Sequence, residues 1–325
     1  MMMTNKDIYK KTITFSLHRL LYDLLAFLLL GVMGAAGFLL MERFSNRGLI
    51  GLGIGLLIGL FAVIFILRYV SYTYKAGQIA MMTKGVTEGK LPDNVLQEGK
   101  AVVKRRFTTV AVFFAVTNVI RGIFNQLSRG MNSVGRAVGG KNGEQIASII
   151  SAAIQTVVAY LCDCCLGWVF YREEQNAAKA TCEGAVLFFK HGKTLMKNLG
   201  HVFGIGLLSL LVIGGAFCGV FFALFSRFPA LFEEITADIG EVVIELEKTV
   251  PEILSNPQNV MLVCAIVAAV ILWSILHSVF VHPFVLVGVL RNYLESGMND
   301  IPAESSFAIL DSKSERFKKL HAEGI

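Results

Sequence analysis

Two apolar stretches near the start of the chain decide its fold. They are LLYDLLAFLLLGVMGAAGFLLM at Leu20–Met41 and LIGLGIGLLIGLFAVIFILRYVS at Leu49–Ser71. A helix needs about 20 mostly apolar residues to cross the roughly 30 Å hydrocarbon layer of a membrane, and both stretches are long enough. Each holds a single charged residue, Asp23 in the first and Arg68 in the second. The pattern predicts two transmembrane helices joined by a short loop.

Four later stretches have the same character, and the composition agrees with them. Apolar residues make up 54% of the 325 residues and charged residues only 17%, whereas soluble domains carry about a quarter charged residues. The chain is therefore predicted to be an all-α integral membrane protein, with a six-span helical bundle over residues 20–290. This class excludes a soluble enzyme and a disordered chain. The remaining predicted spans are Phe107–Ser128, Ile146–Phe170, Asn198–Phe225 and Val260–Leu290.

The orientation follows from the basic residues in the loops, because cytoplasmic loops are enriched in Lys and Arg. With both termini inside, the inner segments 1–19, 72–106, 171–197 and 291–325 hold 21 basic residues. The outer loops 42–48, 129–145 and 224–259 hold 7. We expect a plasma-membrane protein with a cytoplasmic basic leader (1–19) and a cytoplasmic tail (291–325). The excess of basic residues in the cytoplasmic segments thus accounts for the net charge of +6, and no nucleic-acid partner is predicted.

Two loops are predicted to have structure of their own. In 228–255, apolar residues such as Leu231, Ile235, Val242 and Leu246 recur at helical spacing, and acidic residues occupy the other face. This predicts an amphipathic outer helix between spans five and six, packed on the protein's own spans, in an oligomer contact, or as a lid. The inner loop 72–106 mixes glycines with seven basic residues, which favours short helices against anionic headgroups.

Glycines spaced four residues apart let helix backbones approach closely. Such stripes are predicted to serve helix packing within the chain or a homo-oligomer contact, and in a transporter they would also permit sliding. They are Gly51, Gly55 and Gly59 in span two, and Gly200 with Gly204 and Gly215 with Gly219 in span five.

Polar residues inside the spans are the candidates for a functional site, because charges in hydrocarbon are costly. The intramembrane set is Asp23, Arg68, Arg121, Asp163, His277 and His282. Spans one and two are adjacent, so Arg68 is predicted to pair with Asp23. Asp163 is then left facing a cavity or a polar neighbour, as the best candidate for a cation or proton site. The alternatives are that Asp163 only reaches surface water and that the histidines are hydrogen-bonded packing residues.

No catalytic or metal-binding pattern stands out. Cys162 and Cys165 share one helical face and Cys164 lies on another, so one span cannot enclose an ion, and neither a metal nor a cofactor is predicted. The run GRAVGGKN at 135–142 nearly matches a phosphate-binding loop, but Asn142 replaces the hydroxyl residue that would hold Mg²⁺. We expect no enzyme.

Several runs in the second half resemble the C-terminal half of choline transporter-like proteins, over about half of the chain. They are CCLGWVF (164–170), AVLFFKH (185–191), span five ending in FSRFP (225–229), LHSVF (276–280) and LESGMND (294–300). The resemblance implies transport of choline or a similar cation. The chain departs from the family in having six predicted spans rather than about ten, and in lacking a large outer domain.

Transport or permeation of a small solute is the function that these features favour. Two alternatives stay open at this point. One is a non-catalytic membrane scaffold or assembly subunit. The other is a permease half that docks an ATPase through 72–106. The predicted partners are the lipid bilayer, a small-molecule substrate, and a second copy of the chain.

Overall fold

The computed structural model describes residues 2–45, 47–66, 71–107, 117–118, 120–122, 143–245, 251, 254–312 and 315–324. All secondary structure in these ranges is helical, which confirms the all-α prediction for this part of the chain. The α-helices are α1 (Asn5–Ser45), α2 (Gly48–Ile66), α3 (Tyr72–Thr87), α4 (Val95–Arg106), α5 (Gly143–Tyr171), α6 (Ala177–Ser209), α7 (Gly215–Phe225), α8 (Pro229–Glu245), α9 (Pro257–Leu276), α10 (His282–Asn299), α11 (Ala308–Asp311) and α12 (Glu315–Gly324). Two π-helical turns, π1 (Leu210–Gly214) and π2 (His277–Val281), join α6 to α7 and α9 to α10.

The chain divides into two compact units. Unit 1 consists of Met1–Arg19, Tyr69–Phe203 and His282–Ile325, and unit 2 consists of Leu20–Arg68 and Gly204–Val281. Three continuous helical stretches contribute to both units, because α1, the α6–α7 stretch and the α9–α10 stretch each contain a unit boundary. Unit 1 therefore combines all four segments that the charge pattern predicts to be cytoplasmic.

Unit 1 has a conventional buried core. The predicted inner loop 72–106 forms the helix pair α3 and α4, packed against each other and against the first turns of α1. A Cβ at Gly77 or Gly99 would lie only 2.7 Å or 2.5 Å from the Phe15 ring of α1, so the small residues make room for this aromatic side chain. Phe15 and Met81 are completely buried. The segment is thus an interior part of unit 1 rather than a loop.

The C-terminal segment also belongs to this core. Phe307 and Leu310 around α11, together with Phe317 and Leu320 of α12, pack on Cys182 and neighbouring residues of α6. The Asp311 carboxylate and the His321 ring, 3.0 Å apart, hold α11 to α12. The inner segment predicted at 171–197 is likewise mostly helix, since α6 runs from Ala177 into span five.

In unit 2, α1 and α2 pack through glycine. A Cβ at Gly51 would collide with the carbonyl oxygen of Gly37, and one at Gly55 would collide with that of Met33. This is the close backbone approach for which small residues are used in membrane helices. Gly59 faces Met33 and Leu30 of α1. A Cβ at Gly204, Gly215 or Gly219, by contrast, would meet no described atom within 4 Å. The surroundings of Gly200 lie outside the described part of the chain.

The acidic outer helix does not reach Ser255, the end that the sequence pattern predicts, and residues 246–250 lie outside the described part of the chain. It is described from Pro229 to Glu245, and Ser255 is not helical. Phe232 is its buried residue and packs with Val260 and Met261 of α9. Leu231, predicted to lie on the buried stripe, is instead 50% exposed. Ile235 and Ile239 pack against the same cluster, so the predicted apolar stripe is buried in part.

Three described helical stretches are long and apolar enough to cross a membrane: Asn5–Ser45, Gly204–Phe225 and Pro257–Asn299. Gly48–Ile64 and Val158–Tyr171 are shorter apolar helices at the positions of predicted spans two and four. Most of predicted span three (107–128) lies outside the described residues. Many leucine, isoleucine and phenylalanine side chains of unit 2 are exposed, among them Leu39, Phe61 and Leu211. Such a surface is compatible with a membrane environment.

Candidate functional site

Asp163 is a buried charged residue in unit 1. It lies in α5, which packs against α3 and α10, and only 5% of the residue is exposed. Its Oδ1 lies 2.8 Å from Nζ of Lys75 in α3. Burial of a carboxylate is costly unless it is paired, and Lys75 supplies the opposite charge. The polar neighbour predicted for Asp163 is therefore this lysine.

The second oxygen of Asp163 faces a histidine. Oδ2 lies 3.5 Å from Nε2 of His282, the first residue of α10. The imidazole stacks on the ring of Tyr160, with centroids 4.2 Å apart and planes 21° apart. Tyr160 precedes Asp163 by about one turn of α5, so a single helix presents both the carboxylate and the ring that holds His282.

The local sequence explains why His282 lies at this position. Pro283 has no N–H and cannot continue the α-helical hydrogen-bond ladder, so a helix running through it must adjust. The structure makes that adjustment as π2, which ends at Val281. Turns of this kind are frequent at functional sites.

The cluster of Asp163, Lys75, His282 and Tyr160 is not fully satisfied. Oδ2 of Asp163 is buried and accepts no hydrogen bond from any described residue. The Lys75 side chain is 39% exposed, whereas that of Asp163 is 7% exposed. A buried carboxylate that has one oxygen without a hydrogen bond and one partly exposed ammonium partner can bind a cation or take part in proton exchange. We call these four residues the Asp163 cluster.

A second buried charge, Glu183 of α6, has a structural arrangement. Its Oε2 accepts hydrogen bonds of 3.1 Å from Nε1 of Trp168 and 3.1 Å from Nε of Arg172. Trp168 lies in α5 and Arg172 directly follows its last residue, so the carboxylate fixes the corner between α5 and α6. Arg106 supports the same corner by donating to the carbonyl oxygens of Arg172, Glu173 and Gln175. Burial lowers the pKa of Arg106, and the Glu173 charge opposes that shift.

His277 belongs to unit 2, at the first position of π2. Its ring lies 5.2 Å from that of Trp273, whose Nε1 donates to the Ser209 hydroxyl at 3.1 Å. Ser209 immediately precedes π1, so this small polar contact links two helices beside their π-turns. It fits the packing interpretation given to the histidines.

The predicted intramembrane set is thus divided. Asp163 and His282 lie together in unit 1, whereas Asp23 and His277 belong to unit 2. Arg121 is exposed, and its charge acts on the nearby Cys162 thiol. Arg68 lies outside the described residues, and with it the predicted pairing to Asp23.

Unit 1 also has an open cleft of about 350 Å³ between α3, α4 and the end of α5. Its lining includes Lys84, Glu88, Arg105 and Glu173. Lys84 and Arg105 already have carboxylate neighbours, at 4.0 Å from Glu88 and 3.4 Å from Glu98. Both basic residues of the lining thus already have a carboxylate neighbour, and Asp163 is not among the lining residues.

Sequence reasoning misses Lys75 and Tyr160. Lys75 enters the sequence analysis only as a basic residue of an inner segment. The sequence does place both residues near the predicted inner boundary. Lys75 lies just beyond the inner end predicted for span two at Ser71, and Asp163 lies near the inner end predicted for span four. Only the packing of α3 against α5 shows that the two meet. Comparison with protein-family models, with curated proteins and with solved structures finds no match to this chain.

Proposed function

We propose that this chain is a multi-pass membrane protein that transports a small cationic solute, with Asp163 as the cation-binding carboxylate. The observation that carries the proposal is the Asp163 cluster, in which a buried carboxylate has one oxygen without a hydrogen bond and is neutralised by a partly exposed lysine. Choline-like ammonium compounds are the substrate class we propose, in line with the resemblance of the sequence to choline transporter-like proteins.

The topology we propose has six spans with both termini in the cytoplasm. The exposed apolar helices of unit 2 support membrane insertion, and the excess of 21 basic residues over 7 supports the orientation. Unit 1 gathers the four basic segments into one compact body. On this topology the Asp163 cluster belongs to the cytoplasmic side of the protein, where a solute would be bound or released.

Lys75 would be exchanged for the solute cation when the solute binds. Its ammonium occupies the position of a cation beside Oδ1, at 2.8 Å. A solute cation that reaches the carboxylate can displace it, because the lysine stem is long and its head can move into water. The carboxylate cannot follow, since α3 and α10 enclose it. The buried charge would thus remain compensated before and after the exchange.

The test is uptake of radiolabelled choline into proteoliposomes that contain the purified full chain. We expect uptake above that of empty liposomes, and at least a roughly tenfold loss in D163N, because a neutral amide cannot compensate a cation in a buried site. The matched control is D300N, since Asp300 pairs with Lys190 at the surface with side chains 41% and 45% exposed. Equal uptake by D163N and the wild type would refute the assignment of Asp163, and no uptake by the wild type would refute choline as substrate.

One observation favours the scaffold as a second candidate function. Gly204, Gly215 and Gly219 of the α6–α7 stretch would meet no described atom within 4 Å if they carried a Cβ. An open glycine stripe on a membrane helix is suited to contact with another helix. A scaffold would show stable oligomers in nanodiscs that dissociate in G215L, together with no solute uptake. A monomer in nanodiscs would exclude this alternative.

A further inference from the structure

The contact between His282 and Asp163 has a chemical consequence beyond cation binding. A neutral imidazole 3.5 Å from a carboxylate stabilises the negative charge only weakly, whereas an imidazolium would form an ion pair with it. Histidine is the side chain whose ordinary titration falls between about pH 5 and 8. The charge of the cluster therefore depends on whether His282 carries a second proton.

We propose that His282 is a proton-binding site that controls the Lys75–Asp163 contact, so that the proton is the coupling ion of this protein. With His282 neutral, Asp163 has one cationic partner, and Lys75 ties α3 to α5. With His282 protonated, one carboxylate faces two cations. The two cations repel each other, and each interacts less strongly with a carboxylate that it must share.

The geometry decides which cation leaves. The His282 side chain is 14% exposed and held by stacking on Tyr160, whereas the Lys75 side chain is 39% exposed. Protonation therefore releases the lysine, which can be solvated, and keeps the imidazolium on Asp163. The result is that the link between α3 and α5 loosens while the link between α5 and α10 tightens. Release of Lys75 would also clear the position beside Oδ1.

Few other described groups compete for this role. The charged and titratable groups that face or act on the cluster are Lys75 from α3, Tyr160, Cys162 and Cys164 from α5, His282 from α10, and Arg121. Among them only His282 has an ordinary titration range near neutral pH. Arg121 stays charged throughout, so it adds a constant field and no pH step.

The test uses hydrogen–deuterium exchange of the full chain in lipid nanodiscs, without any solute. After correction for the intrinsic pH dependence of exchange, peptides from α3 should exchange about two- to fivefold faster at pH 5.5 than at pH 8, the range expected for losing a partly exposed ion pair. H282Q should abolish this step. H321Q is the matched control, because His321 also pairs with a carboxylate of unit 1, Asp311, at 3.0 Å, and it should retain the step.

A wild type with no pH step in α3, or an H282Q variant that keeps the step, would overturn the proposal. If H282Q fails to fold, D163N and K75M provide the same comparison, since either removes the contact that the proton controls and should remove the step. The coupling role rests on the proposed transport function, but the measurement does not. A pH step without choline uptake would overturn the transport function and leave the proton site in place. Choline uptake without a pH step would overturn the proton site and leave the transport function in place.

Discussion

The two partners of the buried ion pair should differ in what their removal costs. In K75M the Asp163 carboxylate, 5% exposed, keeps its charge and loses its ammonium partner. In D163N the ammonium of Lys75, whose side chain is 39% exposed, can turn into water. Breaking a buried pair costs about 3–5 kcal/mol because a charge is left uncompensated. An exposed partner contributes at most about 1 kcal/mol.

We therefore expect K75M to lower the free energy of unfolding by about 2–4 kcal/mol. This is less than the full cost of breaking a buried pair, because His282 remains near Oδ2 and Lys75 is partly solvated in the native protein. D163N should cost about 1 kcal/mol. For a chain of this size about 2 °C of melting temperature corresponds to each kcal/mol. The double variant should be more stable than K75M alone, because it removes the uncompensated charge.

The assay is thermal unfolding of the four proteins in the same nanodisc lipid at pH 7.5, followed by tryptophan fluorescence. K190M serves as the control, since it breaks a lysine–aspartate pair that is exposed on both sides. It should shift the melting temperature by no more than about 1 °C. Equal destabilisation by K75M and D163N, or a double variant less stable than K75M, would show that Asp163 is not the buried member whose charge matters.

Three further predictions concern other parts of the chain. In nanodisc unfolding, G51V should destabilise the α1–α2 contact by about 1–3 kcal/mol. The control G53V should be neutral, because a Cβ at Gly53 would meet nothing within 4 Å. Equal effects of the two variants would contradict the packing. Burial raises the pKa of Cys182 to about 12, so its thiol is protonated at pH 8 in the native protein. Maleimide should therefore label Cys182 far more slowly in the native protein than in SDS-unfolded protein, as measured by mass spectrometry of the peptide. Single cysteines at Ser255 and Glu315 should be labelled from opposite sides of intact cells, and labelling from one side would rule out the six-span topology.

The helical class of this protein follows from sequence alone. Runs such as Leu20–Met41 contain too many apolar residues for any environment except lipid or a large core, and backbone groups in lipid must be satisfied within a helix. The glycine spacing in span two has the same local character. Gly51 and Gly55 recur on one face of α2, and α2 follows α1 after a short loop, so a close contact between neighbours could be predicted without coordinates.

The candidate site was only partly accessible to such reasoning. Asp163 stands out because a charge inside an apolar run is costly wherever the run lies. Its partners do not stand out, because they depend on which helices meet. The sequence predicts only a cavity or a polar neighbour for Asp163, and the described partner is Lys75 of the inner segment 72–106. That segment is predicted as short helices against anionic headgroups. It forms the helices α3 and α4, whose small residues admit Phe15 of α1.

Sequence by itself determined the properties that each residue carries with it: apolar runs of membrane length, a basic bias between loops, and a costly buried carboxylate. Periodicity and composition are local, and they survive whatever the rest of the chain does. Tertiary structure decided the properties that need two distant segments: the contact of Asp163 with Lys75 and His282, and the burial of Phe232 rather than Leu231. The physical reason is that burial and charge pairing depend on distances between side chains from different helices, and a sequence fixes those distances only through the complete packing of the fold.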